Sequence, residues 1–170
     1  MVILFSNRKS KTEREIIEIL KNFGAMHISD NSISDGDYRF TVISLYKKTD
    51  LKIKKGIAIF SDDTQRFEEQ YLPFGITGIC EENNKHALNL FCKNKIPVIT
   101  CGMGAKNTVT LSSLNNENLL ISLQRTITET NGKSTEPAEF KINLKKQYEP
   151  FSVMASVAVL LLLGIFPTEI

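Results

Sequence analysis

Apolar residues along this chain fall into short runs separated by amphipathic or polar stretches. Val2–Phe5 is uninterrupted and predicts a buried strand. After the polar residues 6–11, Ile16, Ile17, Ile19, Leu20 and Phe23 recur at helical spacing. Thr12 and Glu15 stand at capping-box spacing for that helix, and Gly24 ends it. Residues 25–28 predict a second strand, and residues 29–37 (SDNSISDGD) read as loop by composition. Residues 40–46 alternate, with Phe40, Val42 and Ser44 on one side, and Gly56–Phe60 is another buried strand. The polar residues 61–73 leave room for a short helix around 65–70.

The organising unit spans residues 75–104. Two apolar, β-branched runs, 76–80 (ITGIC) and 97–101 (PVITC), flank the amphipathic stretch 81–94. Parallel strands need such a crossover, so this is a βαβ unit and implies a parallel sheet. Its helix starts at Asn83 or Asn84, whose side chains can accept from free amides. Ala87, Leu88, Phe91 and Cys92 form its expected inner face, with Lys85, Asn89 and Lys93 towards water. Further on, Val109, Leu111, Ile121, Leu123 and Ile127 alternate as strands, Asn131-Gly132 marks a hairpin turn, and Phe140, Ile142 and Leu144 resume the alternation. The expected fold class is therefore α/β: one domain over residues 1–170, with a Rossmann-like three-layer sheet, flanking helices and an antiparallel β-hairpin in the C-terminal third.

Residues 151–166 (FSVMASVAVLLLLGIF) are apolar on nearly every side. The run falls short of the roughly 20 residues a membrane span needs. Gly164 and Pro167 stop it, so a buried core helix is expected. Composition agrees, since 42% hydrophobic and 24% charged residues are ordinary for a globular domain. A net charge of +2 gives no reason to expect nucleic acid or acidic membranes as partners. The three cysteines, Cys80, Cys92 and Cys101, lack metal-ligand spacing and read as reduced, buried thiols of a cytoplasmic protein.

Candidate chemistry is sparse. Residues 47–55 (KKTDLKIKK) carry five lysines around Leu51 and Ile53 and read as a solvated edge or hairpin. Asn131-Gly132-Lys133-Ser134 mimics the tail of a phosphate loop, but Pro137 and a strand pattern follow where a helix is required. Cys101 with His27 or His86 as base, and Asp62-Asp63 with Glu68-Glu69 as a metal site, both have simpler structural explanations. The turn at residues 6–12 is the better place, because it joins the first strand to the first helix. Asn7, Arg8, Lys9 and Ser10 form its candidate anion-binding set, although it lacks the glycines that let a backbone wrap a phosphate.

In order, these elements resemble the central, ATP-binding domain of the Mur ligase family, the UDP-N-acetylmuramyl peptide ligases. Residues 2–17 (VILFSNRKSKTEREII) are similar to the family's strand, GTNGKTT-type loop and helix, with Asn7, Lys9 and Ser10 on its Asn, Lys and first hydroxyl positions. Residues 78–83 (GICEEN) and 97–102 (PVITCG) resemble its later strand, helix start and "ITFG" strand end, and residues 143–165 resemble its C-terminal helix. The chain departs from the pattern in both loop glycines, in the metal-binding glutamate and in the histidine-containing motif. The resemblance thus implies a shortened relative without ligase chemistry, a binding or interaction module with no cofactor and no metal. Its expected partners are a weak phosphate or nucleotide ligand, another protein or a second copy. A small nucleotide- or phosphate-binding enzyme using residues 6–12 is the alternative.

Overall fold

The computed structural model describes residues 1–61, 65–114 and 118–170, and of residues 113 and 114 only the backbone. A ten-stranded, mostly parallel sheet runs through it, flanked by helices on both faces. The strands are β1 (Val2–Phe5), β2 (Ala25–Ser29), β3 (Ser32–Ser34), β4 (Phe40–Leu45), β5 (Gly56–Phe60), β6 (Ile76–Glu81), β7 (Val98–Gly102), β8 (Val109–Leu114), β9 (Asn118–Leu123) and β12 (Ala138–Asn143). Their order is β12-β9-β8-β7-β6-β5-β1-β4-β2-β3. β10 (Ile127–Thr128) and β11 (Ser134–Thr135) form a separate antiparallel hairpin, turned at Gly132 with φ +90°. The helices are α1 (Lys11–Lys21), α2 (Lys85–Asn94) and α3 (Pro150–Leu162), with a 3-10 turn at Gln65–Phe67.

Strand alternation divides the interior in two. Val2, Leu4, Ile57 and Ile59 point to the face covered by α1 and α3. Ile3, Phe5, Ala58 and Phe60 point to the face covered by α2 and the 3-10 turn. On that second face Phe5 and Phe60 stack at 4.4 Å, with Phe67 and Phe91 edge-on against them at 5.0 and 5.2 Å. A side chain at Gly78 has no room, since a Cβ there would meet the Phe91 ring at 2.7 Å.

α3 is buried along its whole length from Phe151 to Leu162, as a helix apolar on every side must be. Its 13 residues span about 20 Å, against the roughly 30 Å of a bilayer's hydrocarbon. Among the described residues no helix is long and apolar enough to cross a membrane.

Four expectations need correction. Residues 29–37 are not all loop, because Ser32–Ser34 pairs antiparallel with β2, His27 opposite Ser34. α1 is capped by Ser10 and Glu13, not by Thr12 and Glu15: Ser10 Oγ accepts from Glu13 N–H at 3.1 Å. Cys92 is exposed and Leu90 takes its place on the inner face of α2, with Ala87 and Phe91. The lysine-rich residues 47–55 form a connection, not a sheet edge. Leu51 and Ile53 pack on the second core, and Gln70 clamps both backbone groups of Thr49, accepting from its N–H at 2.9 Å and donating to its carbonyl at 2.7 Å.

Candidate functional site

β1 lies inside the sheet, with six strands on one side and three on the other, and is flanked by β5 and β4. α1, the element after β1, packs on one face, while the 3-10 turn, the described element after β5, packs on the other. Open α/β sheets bind ligands beyond the carboxyl ends of strands that part in this way. The turn carrying Asn7, Arg8, Lys9 and Ser10 stands at that point.

Each of those residues already has a partner in the chain. Arg66 reaches across from the 3-10 turn, its guanidinium donating to Ser6 O at 2.5 Å and to Asn7 Oδ1 at 2.6 Å. Arg8 pairs with Asp30 at 2.5 Å and lies 5.2 Å from the centre of the Tyr46 ring. Lys9 adopts φ 59°, the left-handed region that glycine usually occupies. Its N–H donates to Glu13 Oε2 at 2.9 Å. A carboxylate therefore sits where the unpaired amides and positive end of α1 would attract an anion. Ser10 is the cap itself.

Beside this turn, a cleft of about 270 Å³ opens between the first turns of α1 and the β2–β3 hairpin. Lys9, Glu13 and Arg14 form one wall, His27 and Asn31 the other, and Tyr46 closes one side. His27 Nε2 and Ser44 Oγ are 3.0 Å apart. Burial, with Lys21 adding to it, holds the His27 imidazole below its ordinary range. Burial and then the Glu13 carboxylate hold the Tyr46 phenol above its own. Glu13 is 3% exposed, and its Oε1 makes no hydrogen bond among the described residues; the same is true of the fully buried Ser6 Oγ.

The remaining candidates lie apart. Cys101 is fully buried under α3, whereas His27 bonds Ser44 and His86 bonds Glu68 at 2.8 Å. Asp62 and Asp63 lie outside the described residues. Glu68 and Glu69 are engaged by His86 and Lys48. Lys133 and Ser134 follow the hairpin turn at Gly132. Sequence reasoning did not single out Glu13, Arg66 or Tyr46; of these only Glu13 left a trace, its three-residue spacing from Ser10.

Neither a family model nor a curated protein matches the chain. Among solved structures, UDP-N-acetylmuramate:L-alanyl-gamma-D-glutamyl-meso-diaminopimelate ligase (MPL) from Neisseria meningitides matches with a TM-score of 0.58 at 12% sequence identity. The chain shares the fold of a Mur ligase. The match covers 98% of this chain and 62% of the ligase chain, so the protein spans less than two thirds of the ligase it matches. At that identity the likeness concerns the fold, and the sheet is what places residues 6–12 beyond the carboxyl end of β1, between those of β4 and β5.

Proposed function

We propose that residues 1–170 form one Mur-ligase-like domain that serves as a non-catalytic binding or interaction module. The observation that carries this reading is the bond from Lys9 N–H to Glu13 Oε2. Phosphoryl transfer depends on backbone amides, a lysine and a metal converging on the phosphates. Here the chain's own carboxylate takes the amide, and Arg66 holds Ser6 and Asn7 from the other side. The free thiols Cys80, Cys92 and Cys101 fit a reducing, cytoplasmic setting.

The second reading, anion binding at Asn7, Arg8, Lys9 and Ser10, draws support from the positive φ of Lys9, which turns the backbone as a loop glycine would. An anion there must displace Glu13, so weak and salt-sensitive binding is expected. Magnesium-dependent ATP binding and phosphate release by the pure protein test both readings. The module reading expects neither above background. Sustained phosphate release that is lost in Lys9→Ala would overturn it.

A further inference from the structure

The sheet has a gap on the edge opposite residues 6–12. β8 starts late, its Val109 standing opposite Cys101, so the amino half of β7 has no strand beside it on that side. Residues 125–128 run past the gap without pairing to β7. Gly78 N–H donates to Pro97 O at 2.8 Å, and Gly78 stands opposite Val98. Strand alternation therefore turns the N–H and C=O of Val98 away from β6 and into the gap, where neither meets a partner among the described residues. The result is a notch of about 300 Å³, apolar where Val98, Ile99, Ile127 and Leu162 meet. Thr108 lines it and is only 7% exposed, yet its hydroxyl makes no hydrogen bond among the described residues. Unlike the sealed hydroxyls of Ser6 and Ser152, that of Thr108 keeps an open surface, which faces the notch. Arg125 stands at the rim, exposed, with one N–H given to Lys106 O at 3.0 Å and no ion pair among the described residues. It is the one charged residue among those described in the lining.

We infer that this notch binds a small apolar α-hydroxy carboxylate, its carboxylate held by Arg125 and the Val98 N–H and its hydroxyl donating to the Val98 carbonyl. A backbone donor and acceptor on one residue call for a ligand that both accepts and donates, as a hydroxyl beside a carboxylate does. One guanidinium among apolar walls matches the single charge of a carboxylate, which it can grip through two parallel bonds, better than the double charge of a phosphate. An ammonium in place of the hydroxyl would face Arg125 with no acidic residue in the described lining to offset it. The Thr108 hydroxyl donates to the carboxylate, and the hydrocarbon body rests on Ile99, Ile127 and Leu162. The volume is near the roughly 300 Å³ at which ligand pockets begin, which suits one ring or one branched chain. This site goes beyond the module reading, because it lies at the amino ends of β6 and β7 and shares no residue with the turn at 6–12.

Amide NMR of the full chain tests this, with mandelate as the probe and mandelamide, phenylacetate, phenylglycine and lactate as separate arms. Mandelate should shift the amides of Val98, Thr108 and residues 125–128. Loss of the charge in mandelamide, or of the ring in lactate, should weaken binding about tenfold. Loss of the hydroxyl in phenylacetate should weaken it about threefold, and phenylglycine should bind more weakly than mandelate. Arg125→Gln, at an exposed position, should weaken mandelate about tenfold and change mandelamide little. Thr108→Val keeps the side-chain shape and should weaken mandelate about threefold; should it fail to fold, Arg125→Gln decides alone. Mandelate without effect on any amide, mandelamide equal to mandelate, tighter binding of phenylglycine, indifference to Arg125→Gln, or shifts confined to residues 6–12 or 47–55 would each overturn the inference. Failure of the module reading shows separately, as ATP turnover, and would leave mandelate binding untouched.

Discussion

Thr12 and Glu149 are 137 positions apart in sequence and joined by a hydrogen bond, the threonine hydroxyl donating to Glu149 Oε2 at 3.0 Å. The contact is reciprocated one turn along α1, where Glu15 Oε2 accepts from the backbone N–H of Glu149 at 2.8 Å. Glu149 is the residue immediately before α3 and has no cap from its own side chain. Helix α1 thus fastens the start of α3. Glu15→Ala should lower stability by about 1–3 kcal/mol, since a part-buried amide loses its acceptor. Chemical denaturation checks this, and an unchanged midpoint would show that water replaces Glu15 without cost.

Leu161 is fully buried within α3. Leu161→Asp should unfold the protein, and Leu161→Ala should cost about 2–5 kcal/mol through lost transfer energy and the cavity left behind. Thermal melting followed by circular dichroism reads both. A melting temperature near that of the parent for the aspartate variant would remove α3 from the core.

Gly78→Ala places a methyl 2.7 Å from the Phe91 ring, which is itself held by Phe60. Overpacking of this kind costs about 1–3 kcal/mol. Pairing the change with Phe91→Leu should recover part of that loss in a double-mutant cycle, whereas strict additivity would mean that the ring does not oppose the methyl.

Thiol reactivity should separate the cysteines. Cys92 is exposed on α2. Burial, reinforced by Glu81, pushes the Cys80 thiol up to about 12, and burial raises Cys101 well above its ordinary range. Near neutral pH, one thiol should react quickly with a disulfide reagent in the native protein and three after denaturation. Fast modification of all three in the native state would contradict the burial of β6 and β7.

His27 gives the fold a pH dependence of definite sign. Burial lowers its folded-state pKa from the ordinary 6.5, so the unfolded chain takes up that proton first as the pH falls. Stability from this group is complete above about 6.5 and declines as the pH drops through the folded value. His27→Gln, which can still bond Ser44, should flatten that part of the profile. Superimposable profiles for the two proteins would exclude His27 as the source.

The parallel core was legible because strands buried on both faces are written as continuous β-branched runs, as in 56–60 and 76–80. β3 was hidden by its brevity and by the Ser-Asn-Asp composition around it, with Ile33 exposed. The start of α1 was misplaced because Ser10/Glu13 and Thr12/Glu15 satisfy the same spacing, and only the α1–α3 contact shows what Glu15 does. The cleft was invisible for a different reason. Lys9, Glu13, His27, Asn31 and Tyr46 meet there only because β4 inserts between β1 and β2, an order that no local pattern encodes.

That insertion also has a kinetic consequence. β1 pairs with neither of the strands nearest it in sequence: Val2 lies opposite Val42 on one side and Ile57 on the other. A growing or refolding chain therefore holds this interior strand unpaired on one flank until β5 has formed, and the apolar face over β6–β8 stays open until α3 docks. Non-local pairing of this sort slows the search for the native state. Refolding should pass through a collapsed stage that binds a hydrophobic dye and releases it when α3 closes the layer.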